Sequence, residues 1–271
     1  NYRIVVLIRY LITVFLLLHY FVLSQKLLCQ DVIKNAHSHN DYLNKNPLFN
    51  AVENKFKSIE VDIFLLNSNL YVGHSWLQIR KERTIEKLYL DPLWKQYNEN
   101  KGYIYQNNIS LYLLVDIKTA AKKTHNVLGE ILHYYKPMLS YVVSDSLIQG
   151  AVTIILSGNK PDIEDIKNIE ERFVFMDGRL SDVGKNISNI IMPIISMDWL
   201  DHFTWSGIGL MPDKELIILN EIVQKVHLEN KQIRFWASPD NKRGWNILEN
   251  VGVDLINTDK LNQFSTHKFQ N

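Results

Sequence analysis

The chain has 271 residues, 46% hydrophobic and 22% charged, with 30 Lys+Arg against 29 Asp+Glu for a formal charge of +1. That length suits one barrel-sized domain and is too short for two ordinary domains with a linker, and the balanced charge points away from a nucleic-acid binder. The single cysteine, Cys29, rules out an intramolecular disulfide.

The first segment is apolar from Ile4 to Ile8 and again from Leu11 to Leu23, with Arg3 and Arg9 as basic flanks. It reads as an export leader over residues 1–24, either cleaved between Ser24 and Gln25 or retained as a membrane anchor. A secreted, periplasmic or membrane-anchored address follows. Cys29 follows Lys26-Leu27-Leu28, without the small residue that precedes a lipidated cysteine, and reads as a free thiol.

Beyond the leader, short β-branched or aromatic runs alternate with amphipathic stretches, as expected of βα units around a parallel sheet. Strands are expected at 32–36, 58–65, 110–117, 151–156, 173–176, 191–197, 232–237 and 253–257. Helices are expected at 47–55, 120–135, 162–172, 213–229 and 242–250, with Pro47 and Pro212 at first turns and Gly252 past a C-terminus. Eight strands at this spacing predict a single (β/α)8 TIM barrel over residues 30–265, expected as a monomer. The stretch 76–108, rich in Tyr, Lys and Asn, is expected to lie over the barrel mouth as a lid.

Polar residues gather at the C-terminal ends of these strands, where barrel enzymes place their active sites. They are His37, His39 and Asn40 after strand one, Glu60 and Asp62 on strand two, His74 beyond it, and Asp116 with Lys118 on strand three. Later strands add Asp177, Asp198, Trp236 with Ser238, and Asn257 with Asp259. Glu60 and Asp62, two apart on a strand, face the same way, and two close carboxylates do not both stay ionised without a cation. A hard divalent ion, Mg2+ or Ca2+, with Asp116 as third ligand is one solution; pairing with Lys or Arg at the barrel rim is the other. Lys118 suits such an ion pair or a substrate phosphate. His37 and His74 bracket the acids and suit proton transfer near neutral pH. His39 and Asn40 either orient a substrate or cap a turn, and Trp236 either walls a pocket or packs in the core. No G-x-S-x-G elbow is present, and no H-E-x-x-H or paired-cysteine pattern supports zinc.

Taken together, Ala36-His37-Ser38-His39-Asn40-Asp41, Ser58-Ile59-Glu60-Val61-Asp62, Val72-Gly73-His74, Val115-Asp116-Ile117-Lys118-Thr119 and Phe235-Trp236 resemble the PLC-like phosphodiesterase superfamily. That superfamily includes glycerophosphodiester phosphodiesterases and spider-venom-type sphingomyelinase D. In detail the chain is most similar to the branch named for altered-inheritance-of-mitochondria protein six. The resemblance implies metal ligation by Glu60, Asp62 and Asp116, acid-base work by His37 and His74, and a substrate site lined by Lys118 and Trp236. It implies a metal-dependent phosphoric diester hydrolase acting on a glycerophosphodiester or phospholipid head group. Two alternatives stand beside it: a phospholipase working at a membrane surface, with a cyclic phosphate product, and a catalytically silent barrel that binds lipid head groups or sugars. The chain departs from glycerophosphodiesterases in having His37-Ser38-His39 where they carry His-Arg-Gly, which removes a phosphate-binding arginine from its usual place.

Overall fold

The computed structural model describes residues 31–105 and 108–270. The expected leader over residues 1–24 and Cys29 lie outside the described residues. No helix among those described is long and apolar enough to cross a membrane.

Eight parallel strands close into a barrel: β1 (Ile33–Ser38), β2 (Phe56–Leu66), β3 (Leu111–Ile117), β4 (Val152–Gly158), β5 (Val174–Gly178), β6 (Ile194–Asp198), β7 (Gln232–Trp236) and β8 (Leu255–Thr258). Each pairs with its neighbours in chain order, and β1 closes the ring by pairing with both β8 and β2. The strands are short runs of Ile, Leu, Val and Phe, and they are buried on both faces as a helix-covered parallel sheet requires. All eight expected strands are present, their limits moved by a few residues.

Alternation divides the barrel interior into layers. Leu114, Ile155, Phe175, Ile194 and Leu255 form a dry layer, capped by Val142 from below. Two residues further along the same strands stand Asp116, Ser157, Asp177, Ser196 and Asn257, so the layer nearest the C-terminal mouth is polar. A period of two carries every strand from core to site in one step.

Helices α1 (Phe49–Glu53), α2 (Asp91–Glu99), α3 (Ala121–Tyr134), α4 (Ile163–Lys167), α5 (Asp213–His227), α6 (Lys242–Asn250) and α7 (Leu261–Gln270) follow every strand except β5. After β5 the chain makes only a 3-10 turn, Leu180–Asp182, because residues 179–193 lack an apolar helical face and carry left-handed residues at Gly184 and Asn186. The covering helices show the expected stripe: α3 buries Thr124, Leu128 and Leu132, one per turn. Asn241 caps α6 by accepting from the Arg243 and Gly244 amides. Gly252 ends it with φ 87°, and Pro212 lies just before the first turn of α5.

Two sequence expectations need correction. The helix expected at 162–172 stops at Lys167, and Glu171–Arg172 instead joins Tyr141–Val143 and Ser146–Ile148 in a small antiparallel sheet at the barrel base. Arg172 is buried there, donating to the Val174 and Ile190 carbonyls, which a helical continuation would not allow. The stretch 76–108 is not a lid. Its helix α2 fills the second position of the helical ring, with Leu90 and Leu93 fully buried and Trp94 against Tyr134 and Tyr135. Tyr105 then reaches the Phe56 carbonyl at the start of β2, so the segment runs down the barrel wall. Only its first residues, around Trp76 and Leu77, stand at the mouth.

Candidate active site

His74 reaches the site by a hairpin. β2 continues past the barrel rim and turns back through Asn67 (φ 49°) and Ser68 (φ 61°), a two-residue turn with both residues left-handed. The return strand Asn69–Val72 pairs antiparallel with β2, and the Gly73 amide donates to the Asp62 carbonyl at 3.2 Å. His74 therefore lands beside the carboxylate twelve residues before it. Its Nδ1 is 3.3 Å from Asp62 Oδ2, and its side chain is 62% exposed.

The three acids converge as their strand positions dictate. Asp62 and Asp116 are register partners on β2 and β3, and Glu60 lies one inward step deeper. One carboxylate oxygen from each lies within 4.8 Å of the others. Lys118 bridges Asp62 Oδ2 and Asp116 Oδ2 at 3.1 Å each. The remaining oxygens, Asp62 Oδ1 and Asp116 Oδ1, are buried and have no hydrogen-bond partner among the described residues. Buried carboxylate oxygens without partners are costly, and a hard cation satisfies such oxygens. The donor set is all oxygen, which suits a hard cation, while Lys118 and Arg234 also supply the ion pairs of the other sequence reading. Burial lifts Asp62 above the usual carboxylate range, and lifts Asp116 to about 6, against the opposing pull of Lys118.

On the other side of the cluster His37 is fully buried. Arg234 Nη1 donates to His37 Nε2 at 2.8 Å and to Glu60 Oε2 at 2.7 Å, while Arg234 Nε donates to Ser196 Oγ at 3.0 Å. His37 Nε2 also lies 3.1 Å from Glu60 Oε2 and Nδ1 lies 2.7 Å from Ser58 Oγ, so with Nε2 accepting from the guanidinium the ring proton sits on Nδ1 and is donated to Ser58 Oγ. Burial, and then the Arg234 charge, lower the His37 pKa to about 4, so the ring is neutral at physiological pH. Burial alone would raise Glu60, but Arg234 and then His37 outweigh it and hold the carboxyl below its ordinary range.

The structure thus gathers His37, Glu60, Asp62, His74, Asp116 and Lys118 at one mouth. Trp236 stands at the same mouth, its ring 5.1 Å from the Arg179 guanidinium and 6.0 Å from that of Arg234. His39 and Asn40 lie at the rim in a holding network. His39 Nδ1 is 2.9 Å from Asp259 Oδ1, and this partner raises the His39 pKa although burial opposes it. Asn40 takes the left-handed conformation (φ 47°) that starts the next turn, its amide 2.7 Å from the Tyr42 hydroxyl.

Three contributors, Tyr42, Arg234 and Gly158, escaped the sequence reading, and a fourth, Asp177, was placed there only as a polar residue at a strand end. Tyr42 Oη lies 2.7 Å from Asp62 Oδ2 and 3.1 Å from His74 Nδ1, so it can donate to the carboxylate and accept from the ring. Arg234 brings an arginine to the site from β7; its signal was a guanidinium in an apolar strand, in phase with Trp236. Asp177 accepts from Ser157 Oγ at 2.7 Å and from Arg179 at 3.1 Å, and its buried Oδ1 has no partner among the described residues. Gly158 leaves room for Asp116: a Cβ there would meet Asp116 Oδ1 at 2.0 Å, and its φ of +64° already disfavours a side chain.

Comparison with known proteins bears on the family and the fold. Residues 26–177 match the family described as the AIM6-like phosphodiesterase domain. The altered inheritance of mitochondria protein 6 of Eremothecium gossypii is 30% identical over 272 residues, covering 86% of this chain and 69% of that protein. A homolog from Arthroderma benhamiae is 27% identical over 258 residues, covering 84% and 81% respectively. Among solved structures, a glycerophosphodiester phosphodiesterase from Agrobacterium tumefaciens superimposes with a TM-score of 0.50 at 11% identity, over 88% of this chain and all of that one. The likeness to the last is one of fold.

Proposed function

The chain belongs to the AIM6-like phosphodiesterase domain family, and on that premise we propose that it hydrolyses a phosphodiester with one divalent cation, Mg2+ or Ca2+, held by Glu60, Asp62 and Asp116. The observation that carries this reading is the convergence of three carboxylates with two buried, unpartnered oxygens between a pair of histidines. A cation bound there supplies Lewis-acid stabilisation of charge developing on a phosphate oxygen.

The residues divide the remaining work. His37, neutral and protonated on Nδ1, carries its lone pair on Nε2, which serves as general base once the substrate displaces the Arg234 contact. Ser58 fixes that tautomer. His74, exposed and oriented through Nδ1 by Asp62 and Tyr42, presents the rest of its ring to the mouth and protonates the leaving oxygen. Lys118 offers its ammonium both to the acids and to a phosphate oxygen. Trp236 and Arg179 form a wall against which the leaving group lies.

A feature of the mouth favours a lipid as the source of the diester. Leu43, Trp76, Leu77, Leu200, Ile208 and Leu210 are all exposed, Leu210 at 94% and Leu77 at 86%. Each lies in a segment following a barrel strand, and the six share the face that carries the acids. A substrate presented at a membrane surface, with the exported address expected from the leader, accounts for a rim this apolar.

The test is phosphorus NMR of the protein with glycerophosphodiesters, lysophospholipids and phosphoinositides, with Mg2+ or Ca2+ and with chelator. A new phosphorus signal that chelator suppresses, and that falls at least about a hundredfold in His74→Ala, is the expected result. Turnover indifferent to chelator and to His74→Ala would overturn the reading.

A further inference from the structure

A cavity of about 480 Å3 opens at the base of the barrel, remote from the carboxylates. Its position follows from the topology. Lys34, Lys57, Tyr112 and Gln232 line it, and all four are the first or second residue of their strands. Its size falls within the range of small-molecule sites, roughly 300–1,000 Å3.

The charges inside are unbalanced. Ile33 and Phe56 are register partners on β1 and β2, so Lys34 and Lys57 enter the cavity from adjacent strands. The Lys57 ammonium lies 4.2 Å from the centre of the Tyr112 ring and forms no ion pair among the described residues. Asp254 is the carboxylate that acts on it electrostatically, but Asp254 Oδ2 is already engaged by His227 Nε2 at 2.8 Å and by the Ile233 amide at 2.9 Å. Burial, reinforced by the charge of Lys34, pushes the Lys57 pKa down. Across the cavity the Gln232 Oε1 acceptor is buried without a partner among the described residues. Phe175 and Ile190 give the lining an apolar part.

We propose that this base cavity binds a small phosphate monoester carrying a flat ring and a hydrogen-bond donor. The phosphate sits at Lys34 and Lys57, the ring lies against Tyr112 and Phe175, and the donor meets Gln232 Oε1. A phosphate monoester is close to dianionic at neutral pH, which matches two adjacent ammonium groups, and lysine binds phosphate as a point charge. A carboxylate of the same shape would satisfy half of that charge. The site is independent of the reaction proposed at the mouth.

Isothermal titration of the full chain with phenyl phosphate, benzoate and inorganic phosphate tests the proposal, together with Lys34→Gln, Lys57→Gln and Asp116→Asn. Phenyl phosphate should bind more tightly than either other probe, lose roughly tenfold or more in each lysine variant, and be unaffected by Asp116→Asn. Thermal melting of the variants guards against loss of fold, and Gln232→Leu, which leaves both lysines in place, should weaken 4-aminophenyl phosphate severalfold and leave phenyl phosphate, which has no donor for Gln232 Oε1, unchanged. No saturable binding of phenyl phosphate would overturn the assignment. So would binding that survives both lysine variants or disappears with Asp116→Asn.

Discussion

At Gly158, conformational freedom serves the chemistry of a neighbouring strand. Its positive φ and the 2.0 Å approach a Cβ would make to Asp116 Oδ1 leave no room for alanine unless the carboxylate moves. Gly158→Ala should therefore weaken divalent-ion binding by more than tenfold, measured by titration, and cost about 1–3 kcal/mol in chemical denaturation. His37 allows a pH prediction. Its folded pKa, about 4, lies below the ordinary histidine value of 6.5, so the unfolded chain takes up a proton that the folded chain refuses. The stability this contributes is present above pH 6.5 and is lost as pH falls toward 4. The melting temperature should fall across that window less steeply in His37→Asn than in the parent protein. At this scale the sequence was informative for His37, Glu60, Asp62, His74, Asp116, Lys118 and Trp236, all of which meet at one mouth. It was silent on Tyr42 and Arg234, because their roles depend on which strands become neighbours across the ring, and a linear pattern does not show that.

Among the elements, the eight strands were legible because buried parallel strands are continuous apolar runs bounded by polar segments. What escaped detection was short or locally ambiguous. The return strand Asn69–Val72 alternates with exposed residues over only four positions, and the base sheet is built from runs of two and three. α2 was hidden in a stretch rich in Tyr, Lys and Asn, whose aromatic residues read as a loop over the substrate but pack against α3. If α2 is wall and not lid, truncating its buried face should act on stability. Leu93→Ala is expected to cost about 2–5 kcal/mol in denaturant unfolding and to leave KM within about twofold. A large rise in KM with unchanged stability would restore the lid.

For the whole molecule, the barrel separates two chemistries by its long axis: carboxylates, histidines and an apolar rim at the mouth, and two lysines in a cavity at the base. The rim argues for work at an interface. The protein should co-sediment with phosphatidylcholine vesicles, and Leu77→Ser combined with Leu210→Ser should reduce the bound fraction severalfold while leaving hydrolysis of a water-soluble diester intact. Fold class and the face bearing the site could be read from strand spacing and the placement of polar residues, whereas the base cavity could not, since Lys34 and Lys57 read individually as solvated charges. The most direct measurement is a calorimetric titration of Mg2+ and of Ca2+ into the protein, Asp62→Asn and Asp116→Asn. One site per chain is expected, lost in both variants and weakened below pH about 6, where Asp116 regains its proton. Absence of binding, or binding that both variants retain, would contradict a cation at the three carboxylates.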